Sequence, residues 1–182
     1  MNRSSLIAAA VAAALIAAAS VLVFSELPAL FVWAAFIGWA SYDHSGATAQ
    51  AAIHSSAALV FGVVMAWLVA VVVAAGLSPL DAITSTAIAA GIASFLIVTA
   101  SRSPALSIVP ATFYGFASTF AYLSLSAGAF TLTALSSFSL RNAIFCVPAS
   151  LLIGTGLGVT HGWLANALVA RKPGSLRRQV LQ

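Results

Sequence analysis

Hydroxyls, aromatic rings, a proline and a glycine crowd into one apolar run, Ser107-Ile-Val-Pro110-Ala-Thr112-Phe113-Tyr114-Gly115-Phe116-Ala117-Ser118-Thr119-Phe120. A helix in the core of a soluble protein has no use for that mixture. In a membrane it has one: hydroxyls and freed carbonyls replace the water bonds a passing solute loses, and rings narrow the path. Pro110 removes a backbone hydrogen bond, so a carbonyl near Leu106 must be satisfied by protein or water. Gly115 thins the backbone where another helix or a solute can approach. Thr112, Tyr114 and Ser118 do not share one helical face, whereas Phe113, Phe116 and Phe120 do, at spacings of three and four. Such an aromatic stripe is more often packing than a gate. The pattern Phe-x-Gly-x-Ala-Ser from Phe113 to Ser118 recurs as Phe36-Ile-Gly38-Trp39-Ala40-Ser41. The expected substrate pathway therefore runs past Phe36, Gly38, Ser41, Thr112, Phe113, Gly115 and Ser118.

The histidines are scattered. His44 follows Asp43 in an expected loop, where a solvated pair is the plain reading. His54 and His161 fall within apolar segments, where a titratable ring must find a partner or a wet cavity. Each is then either a helix-to-helix hydrogen bond or a further pathway residue. A Ser-His-Asp set with recognisable local motifs, a cysteine pair, a His-x-x-x-His and a phosphate loop are all missing from the sequence. Neither a metal nor a cofactor is expected, and the chain is not expected to be an enzyme. The single Cys146 lies inside an apolar segment and cannot form an internal disulfide.

The elements that must position these residues are membrane helices. Of 182 residues, 62% are apolar and 5% charged, far below the roughly 25% charged of a soluble protein. Several apolar runs reach the roughly 20 residues that span the hydrocarbon as helix, and no strand-like alternation is present. The fold class is an all-α integral membrane protein.

Six segments can be drawn. They cover about Ser5–Phe24, the short Pro28–Tyr42, Ala47–Gly76, Ala82–Ala100, Ala105–Leu125 and Asn142–Val169, the last interrupted by Pro148. The opening residues would also suit a cleaved signal peptide, but the apolar run is long enough to span. The Ser/Thr-rich stretch before Ser139 suits the interface, or a dip back into the membrane. Residues 1–170 form the transmembrane domain and 171–182 a basic cytoplasmic tail.

With six spans, Arg3, Arg102 and the tail residues Arg171, Lys172, Arg177 and Arg178 share one side and Arg141 stands opposite, as the positive-inside rule favours. Both termini are then cytoplasmic in a bacterial inner membrane. The partners expected are the lipid bilayer, its anionic headgroups at the tail, and a small-molecule solute, but not nucleic acid.

Further echoes, Ala52-Ile53 with Ala143-Ile144 and Pro28-Ala-Leu30 with Pro104-Ala-Leu106, divide the chain into 1–76 and 79–170. Three segments per half give the inverted-repeat plan of many channels and transporters. Chance similarity among Ala-, Ser-, Gly- and Phe-rich helices is the competing reading. Gly154, Gly158 and Gly162 recur every four residues, a small-residue motif for close helix packing within the subunit or in a homo-oligomer. Arg141-Asn142 would snorkel to the headgroups.

Trp33-Ala-Ala-Phe36-Ile-Gly38-Trp-Ala40-Ser-Tyr42, followed by Ser107-Ile-Val-Pro110-Ala-Thr112-Phe113-Tyr-Gly115 and the basic tail, resembles a family of small bacterial inner-membrane proteins of unknown function that includes the enterobacterial protein YcdZ. The resemblance runs from about Pro28 to the tail. Asp43 stands where its members carry an aromatic and Ala111 where they carry glycine. The family implies size and location but no activity. A fainter architectural likeness points to urea-type channels.

The function expected is a channel or transporter for a small neutral or weakly ionised solute such as urea, a short amide or ammonia. The alternative is a non-transporting scaffold or accessory subunit.

Overall fold

The computed structural model describes residues 3–170, all-helical apart from turns. The tail cations Arg171, Lys172, Arg177 and Arg178 lie outside the described residues. The long helices are α1 (Arg3–Ser25), α3 (Ala49–Ala74), α4 (Ala82–Ala100) and α7 (Ala143–Ala170). Between them come α2 (Val32–His44), α5 (Val109–Leu125) and the single turn α6 (Leu132–Leu135). Four helices, α1, α3, α4 and α7, are long and apolar enough to cross a membrane. With 13 residues α2 is about 20 Å long, and with 17 residues α5 is about 25 Å. Both fall short of the roughly 30 Å hydrocarbon layer. Where six spans were expected, four helices have spanning length and α2 and α5 are shorter.

Local chemistry sets where the helices start. Thr48 caps α3 by accepting from the Ala51 N–H, and Thr131 caps α6 by accepting from that of Ala134. Pro110 sits in the first turn of α5, where its missing N–H would have no helical partner in any case. It therefore starts α5 and does not break it, contrary to the freed-carbonyl reading, and the preceding Pro104–Leu106 is a separate 3-10 turn. Pro148 does lie inside a helix, yet α7 continues past it.

Asp81 caps α4: its carboxylate accepts from the Ile83 and Thr84 N–H groups. Hydrogen bonds from Thr84, side chain and backbone, and from Ile83 hold this exposed carboxyl below its ordinary 3.8. A depressed folded pKa means that the cap's stabilisation is present at neutral pH and is lost as pH falls through the folded value. Asp81→Ala should remove amide-exchange protection at Ile83 and Thr84 at neutral pH, and Asp81→Asn should keep it but lose the acid sensitivity. Equal protection in all three proteins would show that the cap holds nothing.

Packing divides the helices into an inner and an outer set. α2, α3, α5 and α7 share a central cluster built on Ala34, Leu59, Val63, Ala111, Val147 and Leu151. α1 lies outside against α7, burying Ala8, Ala12, Ile16, Ser20 and Phe24 at four-residue spacing, while Leu6, Val11, Leu15 and Leu22 face outward. α4 packs mainly on α3 through Ala93 and Ile97 and turns Ile83, Ile88, Ile92 and Phe95 outward. Helices apolar on both faces suit lipid, which solvates the outer face as well as protein packs the inner one.

The stretch between α5 and α7 is tied down by one side chain. Asn142, 3% exposed, donates to the carbonyls of Leu135 (2.6 Å) and Ser137 (3.0 Å). Its oxygen accepts from Trp67 Nε1 (3.0 Å) and the Ile144 N–H (3.2 Å). Asn142 is thus a buried bracket joining α3, α6 and the start of α7, whereas the sequence reading placed it among the headgroups. Its neighbour Arg141 is exposed.

Candidate functional site

Glycines make two close helix crossings. A Cβ on Gly38 of α2 would fall on the backbone carbonyl of Leu151 in α7, and one on Gly154 of α7 would fall on that of Ala35 in α2. The second crossing repeats this arrangement. A Cβ on Gly115 of α5 would meet the Leu59 carbonyl of α3, and one on Gly62 of α3 would meet the Thr112 carbonyl of α5. In each pair the glycine meets the residue three before the partner glycine. Close backbone contact of this kind holds helices together where lipid supplies no hydrophobic drive between them.

Gly158 continues the α2–α7 contact against the rings of Tyr42 and Trp39, but among the described residues nothing approaches Gly162 within 4 Å. The four-residue glycine repeat is therefore a packing face at Gly154 and Gly158 and open at Gly162.

The two short helices run in opposite senses beside each other. At one end Phe31, before α2, packs its ring 5.1 Å from Tyr122 near the end of α5. At the other end His44 Nδ1 and the Tyr114 hydroxyl are 3.0 Å apart. His44 thus bonds across helices, where the sequence suggested only a solvated pair with Asp43. One turn further in from this bond, Ser41 Oγ hydrogen-bonds Ser55 Oγ of α3 at 2.7 Å, fully buried. Ser118 lies one turn beyond Tyr114 on the same face of α5. It is 1% exposed, and its hydroxyl is the buried side-chain oxygen without a hydrogen-bond partner among the described residues.

Beyond the Phe31–Tyr122 end a cavity of about 420 Å³ opens, walled by both rings with Pro28, Ser126, Leu140 and Arg141.

The remaining pathway candidates are spread around this seam. Thr112 and Gly115 belong to the α3–α5 crossing. Phe113 turns outward with Phe116 and Phe120 onto Met65, Val69 and Ile97, the ring centroids 6.5 and 5.1 Å apart along the stripe, so the stripe is packing. Phe36 is half-buried with its ring 6.4 Å from that of Trp39. His54 is half-buried in the second turn of α3. His161 ties α7 to α1 through the Ala9 carbonyl at 3.1 Å and stands 5.1 Å from the Trp39 ring. His161 has therefore found its partner between helices. The sequence reading missed Gly62, Ser55 and Tyr122, and it weighed Tyr114 without placing it on the pathway. The spacing of Tyr114 and Ser118 was a usable signal for two of the seam's residues, but a lone glycine or serine in an apolar helix carries none.

A family described as "Protein of unknown function (DUF1097)" matches residues 10–166. The chain belongs to the DUF1097 family. The region matched to DUF1097 takes in both glycine crossings, the hydroxyls between them, the His44–Tyr114 bond and Arg141. No curated protein and no solved structure matches the chain. DUF1097 therefore fixes kinship but no activity, and the chemistry has to be argued from the seam.

Proposed function

We propose that this protein is a membrane channel or transporter for a small neutral or weakly ionised solute, whose path follows the seam between α2 and α5. One observation carries the reading: Ser41 and Ser55 pair their buried hydroxyls, and the buried hydroxyl of Ser118, one turn inward from Tyr114 as Ser41 is from His44, is unpartnered. A buried hydroxyl without a partner costs about 1–3 kcal/mol, a cost that a passing solute or water would remove. The seam ends at the 420 Å³ cavity on one side and at the His44–Tyr114 hydrogen bond on the other. The Phe31–Tyr122 rings are then the constriction below the cavity. Hydroxyls without neighbouring charges suit urea, a short amide or ammonia better than a multiply charged substrate.

In this reading the chain consists of two inverted three-segment halves, 1–76 and 79–170, with α2 and α5 as the short middle members. Support comes from the matching glycine crossings, in which each short helix packs on the long third helix of the other half. Arg3, Arg102 and the tail lie on the cytoplasmic side, with the His44 end of the seam. Arg141 and the cavity face the opposite side of a bacterial inner membrane.

The glycine crossings also favour a second reading, a non-transporting scaffold in which the seam is simply packed. Solute uptake into liposomes separates the two. The protein should speed uptake of urea, a short amide or ammonia over empty vesicles. Ser118→Leu should reduce that uptake at least about tenfold, and Ser118→Ala should change it while leaving stability intact, since no hydrogen bond is lost. Uptake no faster than through empty vesicles for all three solutes would leave the scaffold.

A further inference from the structure

We infer that the cavity at the Phe31–Tyr122 end is a binding site for a short-chain monocarboxylate, held by Arg141 with its apolar tail against Phe31 and Leu140. The inference uses the pathway reading only in making this site the entrance; the binding itself stands on the cavity. Its volume of about 420 Å³ is at the small end of the range for small-molecule sites. The wall is mixed: aromatic and aliphatic residues, with Arg141 the one charged residue among them. A planar fork of N–H donors matches a carboxylate bidentately, and apolar walls favour an alkyl tail over a second charge.

Arg141 is exposed, and no carboxylate is paired with it among the described residues. Glu26, on the turn before Pro28, is outside the cavity wall. The backbone of the arginine is fixed from below, because Tyr122 donates its hydroxyl proton to the Arg141 carbonyl at 2.8 Å and the adjacent Asn142 is locked in its bracket. Free acid is favoured over a lipid headgroup because the floor of the cavity reaches inward, to Tyr122 and Phe31 of the central cluster, whereas a headgroup would need only the rim.

Calorimetric titration of the full-length protein in nanodiscs of zwitterionic lipid tests this. Butyrate should saturate a single site, and butyramide, the uncharged analogue, should bind at least about tenfold more weakly. Arg141→Gln should weaken butyrate to the level of butyramide, and Arg141→Lys should recover part of the affinity. Leu140→Ala should remove the advantage of butyrate over acetate. Equal binding of butyrate and butyramide, or no loss in Arg141→Gln, would overturn the site. So would butyrate binding that disappears when phosphatidylglycerol is added, since the groove would then belong to a headgroup. Arg141-dependent butyrate binding in a protein that moves no solute would defeat the pathway reading and leave this one standing. Urea uptake without butyrate binding would do the reverse.

Discussion

Gly38→Ala and Gly115→Ala should each destabilise the protein by about 3 kcal/mol, the upper end of overpacking costs. In both, the added Cβ meets a backbone carbonyl of another helix, of Leu151 in one and Leu59 in the other. A clashing side chain can rotate away. A carbonyl held in a helix cannot, so the whole crossing must open. Because Gly38 and Gly154 meet at one crossing, the double variant Gly38→Ala/Gly154→Ala should cost less than the sum of its parts: once the helices are apart, the second methyl finds room. Gly38→Ala combined with Gly62→Ala, from different crossings, should come closer to additive. Gly91 and Gly156 supply the controls. Among the described residues nothing lies within 4 Å of a Cβ there, so alanine should be neutral or stabilise by up to about 1 kcal/mol through helix propensity. Reversible unfolding in mixed micelles, followed by circular dichroism, reads all of these. Wild-type stability in Gly38→Ala would show that the crossing is looser than described.

Asn142→Leu should cost about 3 kcal/mol. The Leu135 carbonyl and Trp67 Nε1 would keep each other, being 3.1 Å apart. The Ser137 carbonyl and the Ile144 N–H would lose a partner, at about 1–3 kcal/mol for each buried group. Asn142→Asp makes a sharper test. The carboxylate could still accept from Trp67 and Ile144, but it would face the carbonyl oxygens of Leu135 and Ser137 with no proton to offer. Its pKa in the folded protein should therefore rise, and the variant should regain stability as pH falls through that raised value. Unfolding midpoints measured between pH 4 and about 8 decide it. A pH-independent deficit would mean that the bracket fails for a reason other than the lost donor.

Much of the architecture was legible in the residues. The apolar composition required helices in lipid, and the segments drawn from about Ala47 and Ala82 begin close to the starts of α3 and α4. The paired Phe-x-Gly-x-Ala-Ser patterns selected Gly38 and Gly115, which do sit at corresponding crossings. The lengths of α2 and α5 were less legible: the segments were drawn from about Pro28 and Ala105, and the helices themselves begin at Val32 and Val109.

Which face of each helix meets a neighbour was decided only by the tertiary structure. Gly154 and Gly162 lie on the same repeat, yet one touches a carbonyl and the other has open space among the described residues. Ser41 and Ser118 hold the same place in their motifs, yet one has Ser55 for a partner and the other has none. The physical reason is the solvent. In water, burial separates apolar from polar residues and so writes each helix's inner face into the sequence. In lipid both faces are apolar, and the inner one is chosen by shape, by how closely two backbones can approach, and by the few polar groups that must find one another. The sequence by itself determined an apolar helical protein with glycines thinning two of its segments. Folding decided that their seam holds the buried hydroxyls, with Arg141 at its open end.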